Sequence, residues 1–144
     1  ERTILSEHIQ RDHNFNFQDK ETNLIYLTSL GEVWEKAYEK TLEFVTKNNL
    51  KLAFNPGTLQ IEKRDKLIMD IIEKTDYLFV NKEEAEELLY GKELGLEIKD
   101  DKSLVKKLLF GLKSLGAKNV VITDSNNGSY SEDEKNEIYY DINC

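Results

Sequence analysis

The sequence is poor in residues that punctuate or cross-link a chain: its 144 residues hold one proline, one cysteine and 7 glycines. The single cysteine, Cys144 at the last position, excludes an internal disulfide and fits a reducing cytosol, so a cytoplasmic protein is expected. No internal repeat and no low-complexity tract is present. Basic residues are also short, with 20 Lys and Arg against 28 Asp and Glu and a net charge of −8. A nucleic-acid partner held by phosphate neutralisation needs a basic face, and this balance argues against one. Apolar runs such as Leu24–Leu27 fall far short of the ~20 residues of a membrane helix, and no basic-then-apolar signal segment opens the sequence. What is present is a 39% apolar share spread in regular blocks, enough for one domain with a real core rather than a disordered chain.

Those blocks alternate between two periodicities. Leu24–Thr28 predicts a short buried strand. Ser29 then predicts a helix cap with Glu32 as its capping-box partner, and Leu30, Val33, Trp34, Ala37, Tyr38, Leu42 and Val45 recur at helical spacing to about Lys47. Trp34 and Tyr38 are expected to pack that helix on the sheet. After Asn48-Asn49, Leu50–Phe54 predicts a strand closed by Asn55-Pro56-Gly57. A helix from about Arg64 carries Leu67, Ile68, Ile71 and Ile72 on one side. Tyr77–Val80 predicts a buried strand that stops at Asn81, where a helix over Lys82–Tyr90 begins and runs to Gly91. A charged linker, Lys92–Asp101, precedes an amphipathic helix over Ser103–Leu115 that ends at Gly116. Asn119–Thr123 predicts a fourth buried strand, Asn126-Asn127-Gly128 a tight turn, and Ser129–Ser131 with Glu137–Ile142 a pair of strands across an acidic loop. Alternation with short connections predicts an α/β fold: a parallel, Rossmann-like, three-layer αβα sheet with a C-terminal antiparallel hairpin.

Three of these strands finish on polar residues: Asn55, Asn81, and Thr123-Asp124. In an open parallel sheet such ends share one edge, where helix N-termini and strand carboxyl ends converge and ligands sit. Each group also has a plain structural use. Asn81 is a good helix cap with Glu84 three residues on, Asn55-Pro56 is an ordinary turn, and Thr123–Gly128 serves as a hairpin turn. The run Lys82–Glu87 is expected to be a solvated helix face with only Glu84 turned to the edge. His8 and Asp12 are four apart with His13 following, but no well-placed third ligand accompanies them, so they read as a polar surface segment.

The ordered set resembles the ribokinase-type (PfkB) sugar and nucleoside kinases. In that family one strand ends in an Asn-Pro loop, to which Leu52–Gln60 is similar. A later strand ends in an N-x-x-E motif, here Asn81-Lys82-Glu83-Glu84, and a third in a T-x-G-x-x-G loop, matched by Thr123–Gly128 after Leu115-Gly116. The resemblance covers most of the sequence from Leu24 onward. It implies phosphoryl transfer from ATP to a hydroxyl of a sugar or nucleoside, with ATP and Mg²⁺ as cofactors. Glu84 would organise Mg²⁺ through water, and Asn81 would support phosphate or metal hydration beside it. Thr123, Asp124, Ser125 and Gly128 would hold the nucleotide, and Asn55 would lie close to the phosphate path.

The departures are specific. The middle glycine of the third motif is Ser125, and neither the family's G-A-G-D motif with its catalytic Asp nor its N-terminal Gly-Gly sugar motif occurs. Neither Asp124 nor Asp141 has the helix N-terminus behind it that a catalytic base of this kind needs, so no catalytic residue is assigned. The expectation is a central portion of such a kinase, incomplete relative to the family and inactive alone. Residues 24–144 form its core, 1–20 are a remnant of preceding strands with Thr3-Ile4-Leu5 strand-like, and both ends look cut from something longer. The competing expectation is a non-catalytic α/β module for nucleotide binding or protein contact; a phospho-acceptor receiver domain lacks its paired acids, since Leu27 leads only to Thr28-Ser29. Exposed edges and helix faces of such a portion predict self-association or a partner chain.

Overall fold

The computed structural model describes residues 17, 22–95 and 99–141. The expectations for Thr3–Leu5, His8, Asp12, His13 and Cys144 lie outside them. Six strands form one sheet in sequence order: β1 (Leu24–Thr28), β2 (Lys51–Asn55), β3 (Tyr77–Asn81), β4 (Asn119–Thr123), β5 (Ser129–Glu132) and β6 (Ile138–Asp141). The first four are parallel and the last two run antiparallel, as the turn at Asn126–Gly128 predicts. Five helices connect them: α1 (Glu35–Asn48), α2 (Thr58–Glu62), α3 (Lys66–Lys74), α4 (Lys82–Leu88) and α5 (Asp101–Ser114).

Strand alternation decides where the core lies. Leu27, Leu52, Phe54, Leu78, Val80, Val120 and Ile122 are buried together, and the apolar stripes of α1, α3, α4 and α5 join the same cluster. The helical layer formed by the described residues therefore covers one face. On the other, Leu24 and Tyr26 are 47% and 57% exposed, and Tyr77 is exposed beside them. Leu24–Thr28 is thus not the fully buried strand expected: only Leu27 of its five residues is buried, because among the described residues β1 pairs with β2 alone and has helices on one side.

Two helix starts differ from the sequence reading. Helix α1 begins at Glu35, six residues after Ser29, and Ser29 is not its cap. The Leu30 carbonyl instead accepts the Nε2–H of buried Gln60 at 2.7 Å, and a Cβ on Gly57 would come 2.6 Å from Ser29 Cβ. That packing holds residues 29–34 as a loop against the Asn55-Pro56-Gly57 turn. Gln60 belongs to the short α2, which the sequence reading passed over; its Oε1 accepts the Gly57 N–H at 3.2 Å. Arg64 has φ 46°, outside any helix, and α3 starts at Lys66 on the Asp65 cap, whose carboxylate accepts the Leu67 N–H at 3.0 Å. At its far end α4 closes at Leu88, short of Tyr90.

The sheet is pinned at its amino-terminal edge by Asp76. Its carboxylate accepts the Leu52 N–H at 2.9 Å and the Lys118 ammonium at 2.7 Å, and its backbone donates to Leu52 O and accepts from Asn119 N. Burial, the largest single influence, pushes this carboxyl up. The Lys118 hydrogen bond, the Leu52 N–H and the charges of Lys118 and Lys51 together outweigh it and hold the group below the usual carboxylate range. Because the folded-state value is depressed, the stabilisation is present above the unfolded carboxylate's range and is lost as pH falls through the folded one. Asp76→Ala is expected to lower stability by about 1–3 kcal/mol, since it orphans a buried N–H. Denaturant titrations from pH 7 down to about 3 are expected to give a shallower acid loss for Asp76→Asn than for the unaltered chain.

Candidate functional site

The register set at Asp76 fixes what meets at the opposite edge. Tyr77 pairs with Asn119, so four residues later Asn81 lies beside Thr123; on the other side Thr28 lies beside Asn55. Asn55, Asn81, Glu84 and Thr123 line one open cavity of about 790 Å³ there, with Tyr26, Phe79 and the Pro56-Gly57 backbone. The three strand ends expected to share an edge do share it.

The Asn81–Glu84 pair forms a complete capping box. Asn81 Oδ1 accepts the Glu84 N–H at 2.7 Å, and Glu84 Oε2 accepts the Asn81 N–H at 2.9 Å. The plain reading of these residues is therefore realised, yet it consumes only half of the carboxylate. Glu84 Oε1 has only the Thr58 hydroxyl, at 3.4 Å, a long contact at the limit of a hydrogen bond. One carboxylate oxygen thus remains directed to the groove between α2 and α4. Asn55 Nδ2 donates to the Tyr26 hydroxyl at 3.3 Å across the cavity mouth.

The Thr123–Gly128 loop is closed by its own backbone. Asp124 N donates to Gly128 O at 2.8 Å, Asn127 N to Asp124 O at 2.7 Å, and residues 125–127 form a single 3₁₀ turn. Ser125 has φ 43° and Gly128 φ 93° with ψ −145°. Ser125 thus holds a left-handed backbone of the kind glycine adopts freely, at a cost of order 1 kcal/mol. Asp124, Ser125 and Gly128 do not line the cavity that takes in Asn55, Asn81, Glu84 and Thr123; they follow Thr123, which does.

One residue of this corner is placed differently from the sequence reading. Lys82 was expected on a solvated face, but its side chain is only 18% exposed, with Nζ 3.4 Å from Asp124 Oδ2 and 3.8 Å from Asp101 Oδ1. Burial pulls its pKa down most strongly of any single influence, but Asp124, Asp101 and Glu86 together hold it above the usual lysine value. The signal was present in the acidic residue of the third motif, Asp124, whose carboxylate also accepts from Asn127 within its own turn. Among the described residues no three acidic, His or Cys side chains converge as a metal-ligand set.

The sequence matches the model of the pfkB family of carbohydrate kinases over residues 5–142. This chain belongs to that family. The PfkB fold is also found in solved structures. A phosphomethylpyrimidine kinase from Clostridium difficile 630 is 19% identical with a TM-score of 0.65, over 86% of this chain and 55% of that one. Ribokinase from Thermotoga maritima gives 23% identity and a TM-score of 0.59 over 85% of this chain and 36% of that one. A ribokinase II from E. coli, solved in complex with ATP and Mg²⁺, gives 16% identity and 0.58 over 85% and 38%. At these identities the likeness concerns the fold, and this PfkB chain spans about half or less of the length of those proteins. No curated protein sequence matches it.

The capping geometry makes a separable prediction. Asn81→Ala is expected to destabilise by about 1 kcal/mol through loss of the cap, whereas Glu84→Gln, which keeps a capping-box partner, is expected to stay within about 0.5 kcal/mol of the unaltered chain. Thermal and denaturant unfolding of both variants checks it; equal losses would show that the charge of Glu84 serves the fold itself.

Proposed function

We propose that this PfkB chain carries the metal-and-nucleotide half of an ATP-dependent site that phosphorylates a hydroxyl of a sugar or nucleoside. The observation that supports the reading most is the convergence of Asn55, Asn81, Glu84 and Thr123 on one cavity at the carboxyl ends of parallel strands. Phosphoryl transfer asks for positioning and charge stabilisation more than covalent chemistry from the protein. The residues present suit that division of labour. Glu84 lines the cavity and leaves Oε1 with only the long Thr58 contact, matching the few carboxylates and several waters that Mg²⁺ accepts, and Mg²⁺ there would neutralise phosphate charge. Asn81, whose Oδ1 is engaged with the helix, leaves its amide to orient water or phosphate. Thr123 and the Asp124–Gly128 turn place backbone at the rim for the nucleotide, and Asn55 faces the path of the transferred group. No aspartate lines the cavity among the described residues, so none of them is placed there as a catalytic base. A cytoplasmic setting accompanies the proposal; no helix among the described residues is long and apolar enough to cross a membrane.

Calorimetric titration with ATP and ADP, with and without Mg²⁺, tests this. Binding is expected, weakened by Gly128→Val through its φ of 93° and, about tenfold and only with Mg²⁺ present, by Glu84→Gln. No heat at millimolar nucleotide would refute it.

The sheet face that no described helix covers supports a second part of the proposal, that this chain self-associates or packs with a partner chain. Leu24, Tyr26 and Tyr77 form an exposed apolar strip continuous with the cavity wall. Light scattering is expected to give a mass that rises with concentration; a strictly monomeric species throughout would count against it.

A further inference from the structure

A lysine at the first position of a helix works against the helix dipole, and Lys82 sits there, immediately after the Asn81 cap. What compensates it lies on other elements. Asp124, with a side chain 13% exposed, stands at the head of the turn after β4, and Asp101, 85% exposed, opens α5. An exposed pair such as Lys82–Asp101 contributes little, so the Asp124 contact dominates. Asp124 Oδ2 also accepts the Asn127 Nδ2–H at 3.2 Å, so the carboxylate that meets Lys82 is the one that braces the turn.

We propose that Lys82 is a positioning residue that ties the Thr123–Gly128 turn to the first turn of α4, so that the Asn81–Glu84 corner and the nucleotide loop are held as one unit. The proposal deepens the nucleotide reading of this site and rests on it for its functional consequence, while the tie itself is a property of the unliganded chain. Lys82 lines neither the large cavity nor the smaller groove beside Glu84, so it acts through Asp124. Without the tie the turn keeps its backbone hydrogen bonds but loses its only ion pair to α4 among the described residues.

The test is a double-variant cycle of Lys82→Met and Asp124→Asn, with the exchanged pair Lys82→Asp, Asp124→Lys as rescue. Each is read by amide hydrogen exchange at Asn127 and Gly128 in the unliganded chain and by Mg-ATP affinity. Each single variant is expected to speed exchange and weaken binding about fivefold, the lower end for coupled sites, with the double variant no worse than either and the exchanged pair partly restored. Conservative replacement of Asp124 by Asn keeps the side chain's shape, so a fold defect would appear instead as faster exchange throughout β4. Additive losses, or unchanged exchange at Asn127 and Gly128, would overturn the tie whether or not nucleotide binds. Failure of the unaltered chain to bind nucleotide would instead overturn the nucleotide reading, leaving the exchange data to decide on Lys82.

Discussion

The interaction on which the rest depends is the buried carboxylate of Asp76. Parallel strands carry no hairpin to fix their relative register, and a slip of one residue turns every side chain to the opposite face. Asp76 meets Leu52 of β2 with both backbone and side chain, and Lys118 and Asn119 at the start of β4 with its carboxylate and carbonyl. Three strands are thereby indexed to one residue at one edge of the sheet. Their length then determines the other edge: five residues after the pin, Asn81 stands beside Thr123. The chemistry of the cavity is in this sense a consequence of a charged contact on the far side of the sheet.

At the cavity edge, structural and functional uses of the same atoms do not exclude one another. Glu84 spends one oxygen on the Asn81 N–H and keeps the other toward the groove. A carboxylate with one oxygen committed is also one whose rotamer is fixed, which is what outer-sphere organisation of a metal's waters requires. The turn at Ser125 follows the same logic. Its left-handed backbone is held without a glycine because Asp124–Gly128 and Asn127–Asp124 hydrogen bonds close the turn around it. The loop conformation belongs to the turn as a unit rather than to the residue at its centre.

Much of this was legible in the sequence because it is written in local signals. Abrupt ends of apolar runs located β2, β3 and β4 to within a residue, and their polar terminators located the edge. The pairing of Asn81 with Glu84 also followed from their spacing. What escaped the sequence reading is non-local. Ser29 has the composition of a helix cap, yet the helix begins at Glu35 because Gln60, thirty residues on, takes the Leu30 carbonyl. Helix α2 is a short five-residue helix whose Gln60 makes that same contact. Asp76 and Lys118 each precede a strand by one residue, but only the fold reveals that the two strand starts are adjacent. Lys82 looked like one charge among many in a charged helix until Asp124, forty-two residues later, was brought to it.

The one-sided sheet connects packing to chemistry. Tyr26 and Phe79, which line the cavity, belong to the face opposite the helical layer, so part of the cavity's wall lies on the side of the sheet that no described helix covers. An element laid on that face would bury Leu24, Tyr26 and Tyr77 and, in the same act, narrow the cavity between Asn55 and Thr123. Excluding water there raises the strength of every charge interaction within it, since the energy of a charge pair scales inversely with the local dielectric. Glu84's outward oxygen and the backbone of the Thr123–Gly128 turn would then act in a drier medium than the open groove provides. Apolar association on this sheet would thus be coupled to the electrostatics of the site through shared residues.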